Sequence, residues 1–204
     1  NEKGEFTIKL DLKKDETLEG IQIDNYEINA SVTDINGETQ SANTNLNVSS
    51  VSHYIALSDV KIDYFTDENV TAKVETKNYN EQNLKKFYTA KLSKLEEPKR
   101  IFRTNFENEI QNLPVLSKEN FVQKFSHDYF EKEEKKDKVE SVVFEKTQQP
   151  STENQKPTTN LDLGKLSAGK YKLELFNIEG KDTIKTEKIF EVFDKAQLSE
   201  NQKP

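Results

Sequence analysis

The feature that most restricts this chain is an alternation of apolar and polar residues that recurs along most of its length. In Tyr171-Lys172-Leu173-Glu174-Leu175 every second side chain is apolar, and the same spacing runs through Tyr26, Ile28, Ala30 and Val32 and through Val70, Ala72 and Val74. Successive side chains of a strand point to opposite faces, so a period of two gives each strand one apolar row and one solvated row. An isolated hairpin of that kind is marginal in water. A chain with many such strands must stack them as two sheets, face to face.

The strands are read as follows. Phe6, Ile8, Leu10 and Leu12 alternate in a first segment. Tyr26 to Val32 form a second, and Ala42, Thr44, Leu46 and Val48 a third, separated by Asp34-Ile35-Asn36-Gly37, whose Asn-Gly pair suits a tight hairpin turn. These make a three-stranded meander with an apolar face that nothing in the segment covers. From about residue 50 the pattern starts again. His53 to Val60, Val70 to Thr76, Tyr88 to Leu92, Val139 to Phe144, Leu161 to Leu163, Tyr171 to Leu175 and Ile184 to Val192 supply seven strands, with turns at Ala168-Gly169 and Glu179-Gly180. That count predicts a mainly β fold with an immunoglobulin- or fibronectin-like β-sandwich.

The middle of the chain departs from this pattern. Thr104 with Glu107 three residues on makes a capping box ahead of Phe106, Ile110 and Leu113. Ser117 is placed to cap a second helix, in which Phe121, Phe125 and Tyr129 recur at i, i+4 and i+8, a stripe suited to lying on a sheet. Residues 100–137 are therefore expected to be a helical insert. The mixed-charge run Glu131 to Lys138 and the Pro, Thr, Asn and Gln-rich stretch Gln148 to Thr159 read as solvated loops. The expected organisation is residues 1–49 as the last strands of a preceding domain, 50–194 as a complete sandwich and 195–204 as a linker. Residues 1–49 should dock on the second domain or pair with another copy.

Composition narrows the function classes. Of 204 residues 32% are hydrophobic and 33% charged, which implies a thin core under a wide solvated surface. The net charge is −7, so neither nucleic acid nor an anionic membrane is an expected partner. No apolar run approaches the ~18 residues of a membrane span, and the first residues do not read as a signal peptide, so the chain as given is expected to be soluble. There is no Cys, which excludes disulfides, thiolate metal sites and a thioester formed within this chain. There is also no Met, which points to a removed leader or a piece of something longer. The abundance of Lys, Asn, Glu and Ile matches the coding bias of AT-rich bacterial genomes.

Candidate chemistry is sparse. Ser126, His127 and Asp128 adjoin in sequence, but no nucleophile elbow frames them, and His127 reads as a surface or cap residue. His53 reads as a linker residue. Asp59, Asp63, Asp67 and Glu68 supply oxygen ligands of the kind calcium takes, at a spacing that matches no calcium loop. Glu131, Glu133, Glu134 and Asp137 are diluted by Lys132, Lys135 and Lys136. The aromatics Phe121, Phe125, Tyr129 and Phe130 are expected in the core, with a protein-binding ridge as the alternative. Sequons at Asn29, Asn47 and Asn69 are not expected to carry glycans in a bacterial-looking chain. The residues thus nominate no catalytic, cofactor-binding or metal site, no cofactor and no enzymatic activity.

Five stretches carry a family resemblance. Residues 26–42, Tyr-Glu-Ile-Asn-Ala-Ser-Val-Thr-Asp-Ile-Asn-Gly-Glu-Thr-Gln-Ser-Ala, resemble the end of one macroglobulin-like domain in bacterial alpha-2-macroglobulins of the Bacteroidetes type. Pro98 to Arg103, Ser117 to Tyr129, Val143-Phe144-Glu145 and Leu166 to Leu175 look like the next such domain with its helical insert. The resemblance implies a parent built as a string of macroglobulin domains at the cell envelope: periplasmic, outer-membrane-anchored or secreted. Such parents resemble protease traps. The implied role of this piece is a non-catalytic structural and interaction module whose partners are neighbouring domains of the same polypeptide and, through the parent, a target protease. The rival expectation is a generic immunoglobulin-like surface module, an adhesin or polysaccharide binder.

Overall fold

The computed structural model describes residues 19–97, 116–130, 137–149, 151–153 and 156–196, with residues 5, 7, 9 and 17 singly. It is mainly β, with twelve strands and one short helix among the described residues. The expected first strand, the Thr104 helix, residues 131–136 of the charged loop and residues 197–204 of the linker lie outside them.

The first two strands, β1 (Ile23–Thr33) and β2 (Thr39–Ser49), form a two-stranded antiparallel ribbon paired over their full length. Their register sorts the sequence onto two faces. Tyr26 lies opposite Leu46, Ile28 opposite Thr44 and Ala30 opposite Ala42 on one face. On the other, Asn25 donates to Asn47 at 2.8 Å, and the hydroxyls of Ser31 and Ser41 and of Thr33 and Thr39 each meet at 2.9 Å. The turn is wider than the expected two-residue Asn-Gly hairpin. Asp34 Oδ1 accepts from the amides of both Asn36 and Glu38, and Gly37 alone takes a positive φ, +84°. Asp34 thus organises the loop, with Gly37 supplying the left-handed step.

The remaining strands form two five-stranded sheets. One holds β3 (Tyr54–Ser58), β5 (Val70–Lys77), β10 (Lys156–Gly164) and β9 (Ser151–Glu153) in that order, with β6 (Asn83–Leu84) also on β5. Thr76 pairs with both Ile55 and Leu84, so β6 lies on the β10 side of β5, beyond Glu75, where the pairing of β5 with β10 stops. The other sheet runs β4 (Asp63–Phe65), β12 (Asp182–Phe193), β11 (Gly169–Glu179), β7 (Tyr88–Leu95) and β8 (Val139–Gln148). Its pairings are antiparallel except β4 with β12.

Between the sheets the alternating rows interdigitate. Val70, Ala72, Val74, Ile55 and Leu161 of the first sheet pack with Tyr88, Ala90, Leu92, Tyr171, Leu173, Leu175, Ile184, Phe190 and Val192 of the second. The molecule is a β-sandwich, as the spacing predicted. Tyr171 donates its hydroxyl to the carbonyl of Ser167, four residues upstream, at 3.0 Å. This backward bond from an early residue of a core strand is the tyrosine corner of immunoglobulin-type sandwiches. Its ring stacks on Phe190, which meets Tyr64 edge-on. Gly169 has φ +142°, a conformation that residues with a Cβ rarely adopt, so the corner favours glycine.

All seven strands expected in this region are present. Three additional short ones, β4, β6 and β9, gave no alternation because two or three residues are too few to show a period. The expected loop over Gln148 to Thr159 is corrected. Gln148 closes β8, and β9 and the start of β10 form an antiparallel pair. Threonine is a good strand former, and Pro157 pairs only with Thr152, just before β10 reaches β5 at Thr158, so no sheet hydrogen bond from that amide is required on the β5 side. Strand β8 runs to Gln148 rather than stopping at Phe144. Its register against β7 slips twice, at Val143 and Glu140, which are bulged out of the pairing.

Helix α1 spans Lys118–Lys124. Ser117 caps it as expected, its Oγ accepting from the Asn120 amide at 3.3 Å. It stops five residues short of Tyr129, the last residue of the aromatic stripe, with Phe125 in a non-helical conformation at its C-cap. None of its residues is buried. The expected core stripe is therefore corrected: Phe121 packs on Phe125 and Phe130 at 5.1 and 5.3 Å, a small cluster of its own, with Phe125 exposed. Helical spacing brings side chains to one face but does not supply a surface to bury them.

Candidate functional site

Side-chain hydrogen bonds gather around the buried His53 and the neighbouring Asn-rich turn, at the joint where the ribbon meets the sandwich. Its first part is the β5–β6 turn. Asn78 Oδ1 accepts from the amides of Asn80 and Gln82, and Asn78 and Gln82 also bond through backbone and side-chain groups. Within this turn Glu81 takes φ +63°, unusual for a residue with a Cβ. Its carboxylate accepts from the Tyr54 hydroxyl at 2.7 Å and pairs with Lys77 at 3.5 Å, contacts that hold the strained residue in place. Burial, reinforced by the bond to Glu81, pushes the Tyr54 hydroxyl up to about 12, so it remains a donor at every physiological pH.

The turn presents Asn80 to the edge of β2. The Asn47 amide donates to Asn80 Oδ1 at 2.9 Å, and Asn80 Nδ2 donates to the Asn47 carbonyl at 2.9 Å. A side-chain amide here mimics one rung of a β-ladder, since antiparallel pairing turns the N–H and C=O of alternate residues outward. Asn47 Nδ2 in turn donates to the Tyr79 carbonyl at 2.8 Å, while its Oδ1 accepts from Asn25.

The second part is the link Ser50–His53. Ser50 bonds Gln22 twice, its amide donating to the Gln22 carbonyl and its hydroxyl oxygen accepting from the Gln22 amide, closing the base of the ribbon. Val51 is buried in the sandwich core. Ser52 donates from both its amide and its hydroxyl to Glu179, at the end of β11. Glu179 is fixed there by the two-residue turn Gly180–Lys181, whose first residue has φ +63°.

His53 completes the set. It is corrected from a linker side chain to one of the most buried residues, 1% exposed. Its Nδ1 lies 3.0 Å from Ser52 Oγ and 3.4 Å from Glu179 Oε2, and its Nε2 lies 3.3 Å from Asn177 Nδ2. One tautomer satisfies every contact. Asn177 donates to Nε2, Nδ1–H donates to Ser52 Oγ, and the Ser52 hydroxyl donates to Glu179. Desolvation by burial holds the His53 imidazole below its ordinary range despite the Glu179 carboxylate, with Lys86 adding to the lowering. Burial would raise the Glu179 carboxyl, but the hydrogen bonds from Ser52 outweigh it and leave it below its usual value.

A serine, a histidine and a glutamate in contact invite comparison with a nucleophilic triad, and the geometry differs. In a triad the hydroxyl and the carboxylate engage opposite imidazole nitrogens, so that a proton passes through the ring. Here both sit on the Nδ1 side, the serine hydroxyl is directed at the carboxylate, and Nε2 faces an amide. The arrangement is a clamp.

The residues weighed from sequence are dispersed. His127 is exposed in the turn after α1, far along the chain from the joint. Asp67 is held by Lys195 at 2.8 Å and Glu68 by Lys61 at 3.4 Å, while Asp59 and Asp63 are exposed. Among the described residues no three His, Asp or Glu side chains come together as a metal would need. Asp137 pairs with Lys170 at 2.8 Å. Of the sequons, Asn47 is consumed in the ribbon's clasp, whereas Asn29 and Asn69 are exposed. Sequence reasoning missed the joint because its members, Asn47, Asn80, Ser52, His53, Asn177 and Glu179, are joined by bonds between residues as far as 127 positions apart. Only the Asn-rich turn, Asn78-Tyr79-Asn80, offered a local signal.

The outer faces of the sandwich are laced with ion pairs. Glu75 lies between Lys73 and Lys77, each at 3.3 Å. Glu174 lies between Lys172 at 3.2 Å and Lys185 at 2.8 Å. Burial would raise both carboxyls, but hydrogen bonds from the paired lysines prevail and lower them. Among the described residues no helix is long and apolar enough to cross a membrane. No protein-family model matches the chain, and no curated protein matches its sequence.

Proposed function

We propose that the chain is a non-catalytic structural and interaction module of a bacterial alpha-2-macroglobulin-like protein whose parent traps or inhibits proteases at the cell envelope. The sequence resemblance supplies the family, and one observation supports the mechanical part of the reading. Side-chain hydrogen bonds from Asn80 to Asn47 and from Ser52 to Glu179, with the buried His53 beside them, hold the base of the β-ribbon against the sandwich. A module of that kind sets the distance and angle between neighbouring units of a polypeptide, and its working surfaces are its interfaces. The ribbon fits the role of strands completed by a preceding domain, since its apolar row is only half-buried.

The alternative, a carbohydrate- or host-binding surface module, draws on the cluster of Phe121, Phe125 and Phe130. These rings are tilted by 39° and 56° to one another, packing together instead of lying in the common plane that a sugar platform uses.

The test compares the isolated chain with the full-length parent. Incubated with serine, cysteine and metalloproteases, the parent is expected to retain or inhibit a protease that the isolated chain leaves fully active. Stoichiometric inhibition by the isolated chain, or turnover of any ester or peptide substrate by it, overturns the assignment. Binding to a polysaccharide array that is lost on changing Phe125→Ala would favour the alternative.

A further inference from the structure

We propose that Ser50–His53 is an acid-released hinge between ribbon and sandwich, with His53 as the group whose protonation loosens it. The argument is geometric first. The chain passes from β2 into β3 through these residues, and two separate anchors hold the ribbon's base. One is the Asn47–Asn80 clasp, made of amides that do not titrate. The other is the Ser52–His53–Glu179–Asn177 network, which contains an imidazole withdrawn from solvent.

That imidazole fits its surroundings only when neutral. Asn177 Nδ2 donates to Nε2, so a proton added at Nε2 would set two donors facing each other at 3.3 Å. It would also place a positive charge in a site that offers water almost no access. The charged groups acting on the ring are Glu179, on β11, which favours the cation, and Lys86, on the β6–β7 connection, which opposes it. The favourable carboxylate is already engaged by the Ser52 amide and hydroxyl. Protonation therefore requires the ring to leave its pocket or the Asn177 amide to turn over, and departure of the ring withdraws support from Ser52 and from the link.

The sign follows from burial. A histidine whose folded pKa lies below its unfolded value of 6.5 leaves stability untouched above that value. Stability is lost as the pH falls below it towards the folded pKa. Release is thus expected on acidification from neutral, while the sandwich core, which contains no other histidine, stays folded.

The absence of cysteine makes the test direct. Spin labels placed through Gln40→Cys, on the ribbon, and Thr71→Cys, on the outer face of β5, report the distance between the two units. A single narrow distribution is expected at about pH 7.5, and its loss to a broad one at about pH 5, on either side of the ordinary imidazole value. Far-ultraviolet circular dichroism should be unchanged between the two conditions. The His127→Gln variant, which removes the other histidine, should keep the pH effect, and His53→Gln should abolish it whatever its width. An unchanged wild-type distribution, retention of the effect in His53→Gln, or its loss in His127→Gln overturns the proposal. Should His53→Gln fail to fold, ring-proton titration of His53 in the His127→Gln protein decides. The broadening must track that titration, and broadening at a different pH sinks the hinge.

Discussion

The ribbon and the sandwich are written in the same alternating pattern and end in different states. Along β11, Leu173 and Leu175 are completely buried. Along β1, Ile28 is half-buried, Val32 is 62% exposed and Ile23 54%. Both segments pair over eleven residues with a hairpin partner, and β11 pairs with β7 on its other edge as well, but edge pairing does not bury a face. The difference is a second sheet. The comparison teaches that a period of two reports a strand and its apolar side, whereas burial depends on whether another element arrives to cover that side.

The sharpest way to break the comparison is to truncate equivalent side chains. Leu173→Ala is expected to cost about 2–5 kcal/mol in urea unfolding, whereas Ile28→Ala, on the half-covered ribbon, should cost about 1 kcal/mol or less. Equal losses would mean that the ribbon has a cover of its own.

Next in size is the clasp. Asn80→Ala removes two hydrogen bonds to the edge of β2, for an expected loss of about 1–2 kcal/mol in the free energy of opening at the joint. Hydrogen exchange at the Asn47 amide reads it. Exchange at β11 amides should be unaffected, and a uniform acceleration would show that ribbon and sandwich unfold as one unit.

A smaller effect tests the outer face. Glu174 and Glu75 have folded pKa values below their ordinary 4.5, so they stabilise the fold above that pH and the contribution is lost as the pH falls through their lowered values. Glu174→Gln should therefore lower stability by about 1 kcal/mol at neutral pH and flatten the acid limb of the stability curve. A variant as stable as the parent at neutral pH would relegate the Lys172–Glu174–Lys185 ladder to solubility alone.

The smallest is expected at β8. Val142→Thr, at an exposed position on a bulged edge strand, should change stability by less than about 0.5 kcal/mol. A larger loss would indicate that this edge is covered in solution.

Much of the sandwich was readable from particular residues. Tyr171, Leu173 and Leu175 announced β11, Val70, Ala72 and Val74 announced β5, and Ser117 marked the start of α1, because strand alternation and helix capping are local in sequence. The errors have physical causes of the opposite kind. Phe121, Phe125 and Tyr129 had helical spacing, but the helix stops at Lys124 and none of the three is buried among the described residues. The stretch around residues 151–159 has the polar, Pro-containing composition of a loop, and its strands form because a neighbouring strand edge is there to pair with. His53 looked like a linker residue because its partners, Asn177 and Glu179, are more than a hundred residues away.

The amino-acid order by itself determined which segments are strands, which face of each is apolar, and that no thiol chemistry is available, since each of these follows from neighbouring side chains or from composition. Tertiary structure alone decided which apolar faces are buried and which buried polar groups meet. Both depend on contacts between residues remote in the chain, and local spacing carries no record of what lies across a sheet. The joint at Asn47, Asn80, His53 and Glu179 exists only because two hairpin ends and a link are brought to one corner of the fold.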